Sequence, residues 1–405
     1  MNFRGLTIKI PDFAFKLAEF ANLNNQKLYL VGGALRDLLL KKKVYDYDFV
    51  CSSSALEFVK FLEAKKKAQI VSLHPKFCTA KIKFKYLPEN KELELDLATS
   101  RSEFYKFSGA LPEVRTPVLI EEDLKRRDFS INALALQIDS KLQKKSSAEK
   151  LFLFKEDFID LFNGIEDLEN KKLKVLHQKS YDEDPTRIIR AIRFSARFGY
   201  QISEYDCKLI EKVLKQTKFK NFALKIRGPR FGIELERLFE LENWDRALEL
   251  LFDLRADLLF AQDLERKQKK DLKFFIQSGG NLLNAKVRLI WAFWESKSLV
   301  VLLKALEYPK KLIKQIEILK LLEANSFSAQ LVNLKFFQEK VSADLREFFL
   351  ILRPAYKKKY SLYQKAEPKV SVQDLIQEKS LKPKEIRSEL QKIFENNLKK
   401  LGFES

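Results

Sequence analysis

The chain has 405 residues, 46% of them hydrophobic, which is enough for more than one core, so several modules are expected rather than one globule. The 76 Lys and Arg against 56 Asp and Glu leave a formal charge of +20 spread through the sequence, the electrostatic footprint of a protein that meets a polyanion. The cysteines Cys51, Cys78 and Cys207 are too scattered for a disulfide framework or a zinc knuckle. With no signal-type N-terminus and no long apolar run, a soluble cytoplasmic protein without membrane contact is expected.

In chain order, "PDFAFKLAEFANL" sets Phe13, Leu17, Phe20 and Leu23 at helical spacing, which predicts a helix. The segments "KLYLV", "DYDFV", "TAKIKF" and "LELDLA" are short and alternate or run apolar, as strands do. The first 140 residues therefore read as a small sheet with helices. From about residue 183 onward the strand signal fades and stretches such as "LENWDRALELLFDL" and "VRLIWAFWESKSLVVLLKALEY" predict helix throughout. Breaks fall near 141 to 150, 226 to 232, 277 to 281 and 352 to 360, each carrying Gly, Pro, Ser or a charge run, and no repeat of fixed period occurs. Ahead of these breaks, "LATSRSEFYKFSGALPEVRTPVLIEEDLKRRD" (97 to 128) reads as a long loop, and long loops in compact domains tend to be functional.

Chemistry concentrates in "VGGALRDLLLKKKVYDYDFV", residues 31 to 50. On a strand, Asp46 and Asp48 share a face with their Cα atoms about 6.6 Å apart, a placement that can hold two divalent ions for phosphoryl displacement. Hard oxygen ligands favour Mg2+. In "LELDLA", Leu93, Leu95 and Leu97 face one way and Glu94 and Asp96 the other, so Asp96 is the third catalytic candidate. An Asp-x-Asp on a solvent-facing edge strand would look the same, but Gly32 and Gly33 end the preceding strand and open a helix bearing Arg36. Bare backbone N-H groups there can meet phosphate oxygens. Neither a P-loop nor a G-x-G-x-x-G dinucleotide motif is present.

With "RRDFSINALAL" (126 to 136), "IDLFNGIEDL" (159 to 168), "YDEDPTRIIRAIRFSARFGY" (181 to 200) and "IRGPRFGIELERLF" (226 to 239), these stretches stand in the order seen in bacterial class II tRNA nucleotidyltransferases and their poly(A) polymerase relatives. The resemblance spans about residues 27 to 240. It implies an α+β protein: a polymerase-beta-like nucleotidyltransferase head (1–140), then an all-helical neck (141–205), body (206–340) and RNA-binding tail (341–405). It further implies metal ligation by Asp46 and Asp48, triphosphate contact by Gly32, Gly33 and Arg36, ribose contact by the Arg126-Arg127-Asp128 element with Asn132, and base reading by Asp184 and Arg187 in the Glu183-Asp184-x-x-Arg187 segment. Arg190 and Arg193 complete the nucleotide-binding set.

The residues agree with that reading. On a helix, Arg187, Arg190, Arg193 and Arg197 fall within one arc while Ile188, Ile189, Ile192 and Ala196 lie opposite, so one face packs and the other is cationic. Cytosine and adenine both offer an amino donor beside an unprotonated ring nitrogen, so one carboxylate and one guanidinium can accept either, whereas uracil and guanine present the reverse pattern. In the family the 97 to 128 region is tied to the switch from CTP to ATP, which singles out Arg101, Glu103 and Tyr105. The tail (370 to 394) resembles the family's RNA-contacting unit through Asp374, Leu375 and Pro383, with Val372 and Lys384 where glycines usually stand; Tyr356, Tyr360 and Tyr363 could stack on RNA or pack inside a helix. Two histidines, His74 and His177, exclude a clustered His/Asp phosphohydrolase domain, and His177 is expected to pack or cap near the basic helix. The expected partners are a tRNA 3' end, CTP and ATP, with no required protein partner. Full CCA addition is the first reading; CC addition, A addition, poly(A) synthesis and a non-catalytic RNA-binding protein share the same motifs.

Overall fold

The computed structural model describes residues 6–86, 91–139, 142, 146–147, 150–153, 155–225, 229–260, 269–324, 337–366 and 383–401. The chain divides into two compact units, Met1–Gln216 and Thr217–Ser405.

The first unit is built on a seven-stranded sheet in the order β12-β9-β2-β3-β6-β5-β4. Its strands are β2 (Leu28–Val31), β3 (Tyr47–Cys51), β4 (Ala68–His74), β5 (Thr79–Tyr86), β6 (Lys91–Thr99), β9 (Leu134–Ile138) and β12 (Ile159–Asp160). The four strands read from the sequence are β2, β3, β5 and β6. Neighbours pair antiparallel except β3 and β6, which run parallel. A parallel pair needs a crossover; here α3 (Ala55–Ala64), β4 and β5 supply it. Ser54 starts α3 by accepting a hydrogen bond from the Glu57 N-H.

Helix α1 (Asp12–Leu23) buries Phe13 and Leu17 as its period predicts, while Leu23 at its end is exposed. Tyr29, Val31, Val50 and Ala135 of the sheet pack with Ile120 and Leu124 of α4 (Ile120–Lys125), so α4 is fixed against the strands that carry the site. Strand pairing continues past residue 140, the expected end of the head, to β14 (Gln201–Ile202), which pairs with β13 (Lys172–Leu173). The segment 97 to 128 is not a loop: β7 (Ser102–Phe104) and β8 (Glu113–Arg115) form an antiparallel hairpin, and α4 follows.

After α5 (Gly164–Glu169) and α6 (Ser180–Glu183) comes α7 (Thr186–Phe198), the arginine helix. It ends at Gly199, whose φ of +71° is a left-handed cap. Its Ile188, Ile189, Ile192 and Ala196 are buried as expected, but so are Arg187 and Arg193, because that part of the cationic face turns into the unit, while Arg190 is half-buried and Arg197 exposed.

The described residues of the second unit form helices and short helical turns, in line with the sequence. "VRLIWAFWESKSLVVLLKALEY" is two helices, Ala285–Ala292 and Leu299–Ala305, rather than one. The core here is aromatic: Trp244 is buried, and Phe275 stacks on Trp291 with ring centroids 4.3 Å apart. Tyr360 and Tyr363 are also buried, packed against Phe337 and Phe394, which settles them as packing residues. Gly228 and residues 367 to 382, with Val372, Asp374 and Leu375, lie outside the described residues. Among the described residues no helix is long and apolar enough to cross a membrane.

Candidate active site

Asp46 stands one residue ahead of β3, and Asp48 lies within it. The parallel register sets Asp48 directly opposite Asp96 on β6, while Phe49, Val50, Leu95 and Leu97 are buried in the core. On the other side Asp96 pairs with Lys81 of β5 at 3.3 Å. Although much of Asp48 remains open to solvent, the protein crowded around its carboxyl raises its pKa above the ordinary value. Repulsion from Asp96 and Asp46 adds to the shift, and Arg127 and Lys81 oppose it. Mutually repelling, solvent-accessible carboxylates are a donor set that a hard divalent cation would neutralise, so these residues fit magnesium chemically. Among the described residues no three acidic, His or Cys side chains close into a preformed metal cage.

Gly32, at the start of α2 (Gly32–Leu39), has φ +65°, and a Cβ there would stand 2.7 Å from Arg127 Nη1. Only a bare backbone gives Arg127 that seat. Gly33 follows in the first turn, beside the Arg36 guanidinium. Arg36 itself is buried: it donates to Asn132 Oδ1 at 2.6 Å and to Asp37 at 2.8 Å, and stacks over Phe198 and Phe194 of α7 at 4.7 and 5.6 Å. Its guanidinium thereby ties α2 to α7.

The Arg126-Arg127-Asp128 element is the hub between carboxylates and arginine helix. Arg127 reaches over Gly32 and its charge acts on Asp48. Asp128 accepts from Arg190 Nη2 at 2.6 Å and Nε at 2.9 Å, and from Asn132 Nδ2 at 3.0 Å. Burial alone would push the Asp128 carboxyl up, but Arg190 and the hydrogen bonds from Asn132 and Arg190 bring it down to about 2. The Arg126 carbonyl accepts from Arg187 Nη2 at 3.0 Å, and Arg187 Nη1 donates to Ser180 Oγ. Asp184, just after α6, accepts from the Thr186 N-H and hydroxyl. Arg193 is buried, its guanidinium 4.6 Å from the Phe194 ring, and Arg197 is exposed. Burial lowers the His177 pKa, with Arg187 and Lys179 adding to it against Glu183, whose carboxylate is 3.7 Å away.

The hairpin docks on α6, just ahead of Asp184: the Gly109 N-H donates to the Glu183 carbonyl at 2.8 Å and Ser108 Oγ to Asp182 at 3.3 Å. Glu103 accepts from Arg101 at 3.0 Å, Arg126 at 2.9 Å and the Tyr105 hydroxyl at 3.1 Å. In "IDLFNGIEDL", Asp160 caps the Gly164 and Ile165 N-H groups at 2.7 and 3.0 Å. A Cβ on Gly164 would stand 2.2 Å from the Ser130 carbonyl, so that motif locks α5 onto the "RRDFSIN" turn.

Sequence reasoning missed Asp123. It is fully buried and accepts from Arg126 and Arg127 together. The available signal was an acid three and four residues before two arginines on a helix.

Mixed-sheet head, acidic face, glycine turn and arginine helix define an α+β protein with a nucleotidyltransferase-type head. Residues 28–174 match the poly A polymerase head domain. Among similar proteins, the A-adding tRNA nucleotidyltransferase of Aquifex aeolicus is 39% identical over 56% of this chain and 24% of its own length. That of Halalkalibacterium halodurans is 30% identical over 64% and 59%, and the CCA-adding enzyme of Streptococcus gordonii 30% identical over 58% and 56%. The chain thus spans only about a quarter of the Aquifex protein's length. Among solved structures, an apo CCA-adding enzyme aligns over 96% of this chain and 91% of its own, with a TM-score of 0.72 and 25% identity. A CCA-adding enzyme complexed with CTP aligns with a TM-score of 0.69 at 25% identity, over 96% and 90%.

Proposed function

We propose that this protein is a tRNA nucleotidyltransferase that adds C, C and then A to the tRNA 3' end from CTP and ATP. The carrying observation is the register that sets Asp48 beside Asp96, with the Arg126-Arg127-Asp128 hub joining them to Arg187 and Arg190. In this reading Asp46 and Asp48, with Asp96 beside them, would hold two magnesium ions, whose charge would be supplied to the reaction in which the RNA 3'-hydroxyl attacks the α-phosphate and pyrophosphate departs. The chain's own part is positioning and charge. Gly32, Gly33 and Arg127 line the phosphate path, a phosphate role for Arg127 where the sequence reading gave its element the ribose, because its Nη1 lies over Gly32. Arg36, Asn132 and Asp128 hold that turn against α7, and Arg190 and Arg193 add positive charge on the helix side. Asp184 and Arg187 read the shared hydrogen-bond pattern of cytosine and adenine.

A second reading, A addition to ends that already carry CC, is favoured by the names of the Aquifex aeolicus and Halalkalibacterium halodurans relatives. Offering tRNAs ending before CCA, after C and after CC, with CTP, ATP or both, separates the two. Full addition to the first end supports our reading. Failure to start without CC replaces it with A addition, a product stopping at CC replaces it with CC addition, and a long A tract points to a poly(A) polymerase.

A further inference from the structure

Asp123 lies outside the motifs that the proposed function uses, yet among the described residues it is the one fully buried carboxylate in contact with both hub arginines. It sits on α4 three and four residues before Arg126 and Arg127, so one helical turn brings both guanidiniums to it. Its Oδ1 accepts from Arg126 Nε at 3.0 Å and from the Arg101 N-H at 3.1 Å. Its Oδ2 accepts from Arg127 Nη2 at 3.0 Å and, at 3.3 Å, from Nε. A carboxylate with 0% exposure is retained only with such partners. Burial would push its pKa up, but the two arginines hold it below the ordinary value.

The fork leaves Arg127 Nη1 pointing away from Asp123. That nitrogen lies over Gly32, 2.7 Å from where a Cβ would stand, and donates to the Asn132 carbonyl at 3.5 Å. We propose that Asp123 is a positioning residue: its forked grip aims Arg127 across the Gly32 turn toward the acidic face, where it meets the triphosphate of the incoming nucleotide. This rests on the proposed function and adds to it what sets the pose of the phosphate-facing arginine. Without the grip, Arg127 is drawn toward Asp48, whose charge it already senses, and occupies the space of phosphate and cation.

The test is calorimetric binding of CTP and of ATP to the full chain with magnesium. Arg127→Lys keeps the charge but cannot take the forked contact, so we expect affinity for both nucleotides to fall about tenfold with the melting temperature kept. Asp123→Asn is expected to weaken binding similarly, and in an Arg127→Gln background to add less than about twofold, since both act through one side chain. Wild-type affinity in Arg127→Lys, or additive losses in the double variant, would overturn the inference while leaving the proposed function standing. Should Asp123→Asn fail to fold, Arg127→Lys decides alone. A wild-type chain that binds neither nucleotide overturns both.

Discussion

Asp128 shows how a single buried carboxylate joins stability to the site. Its partners Arg190 and Asn132 hold its pKa near 2 against an ordinary 3.8, so its contribution, about 2 kcal/mol, is complete above roughly pH 4 and lost as pH falls through 2. Asp128→Asn should therefore cost about that much at neutral pH and flatten the fall in stability between pH 4 and 2, as read by denaturant unfolding across that range. Gly32 makes a different demand. Gly32→Ala places a Cβ at φ +65° and against Arg127, so it should cost about 1–2 kcal/mol and weaken nucleotide binding, because Arg127 must move. Unfolding and nucleotide titration on the same sample check both. Strand alternation made Asp48 and Asp96 legible, since both stand opposite buried Phe49, Leu95 and Leu97, whereas Asp46, read as part of the same strand, lies one residue ahead of β3 between exposed Tyr45 and half-buried Tyr47. The buried clasp that Arg36 makes with Asn132 and two phenylalanines was not legible, since its spacing read only as a phosphate contact. Asp123 stayed hidden because acid-arginine pairs at helical spacing usually lie on solvated faces.

At the level of elements, β3, β6 and α7 were readable from period and composition. Their pairing was not: the parallel register of Asp48 with Asp96 depends on the crossover through α3, β4 and β5, which no local pattern specifies. The hairpin β7–β8 escaped for a related reason. Its strands have three residues each, too few to show alternation, and the Ser, Gly and Pro around them read as loop. The hairpin is docked through Gly109 and Ser108 onto the segment before Asp184, and under the proposed base reading by Asp184 it should influence base choice. Replacing residues 105–112 by a short Gly-Ser link should leave the sheet folded, with far-ultraviolet circular dichroism unchanged. The same change should alter the ratio of CTP to ATP use by about tenfold. An unchanged ratio would remove the hairpin from selection.

Across the whole molecule, the first unit holds the candidate site, and the chain of charge +20 includes a helical second unit. Binding to tRNA should accordingly weaken with salt, log affinity falling against log salt with a slope of about −4, as expected for several phosphate contacts. A flat dependence would argue against a polyanionic partner. Helix content beyond residue 217 was legible from composition, whereas the aromatic core around Trp244, Phe275 and Trp291 depends on contacts between distant segments. The most direct measurement is incorporation of labelled CTP and ATP into tRNA lacking its CCA end, in magnesium, by wild type and by the Asp46→Ala, Asp48→Ala double variant of matched melting temperature. Wild type should extend the RNA and the variant should lose at least about a thousandfold in rate; a variant that still extends it would contradict the assignment of catalysis to this acidic face.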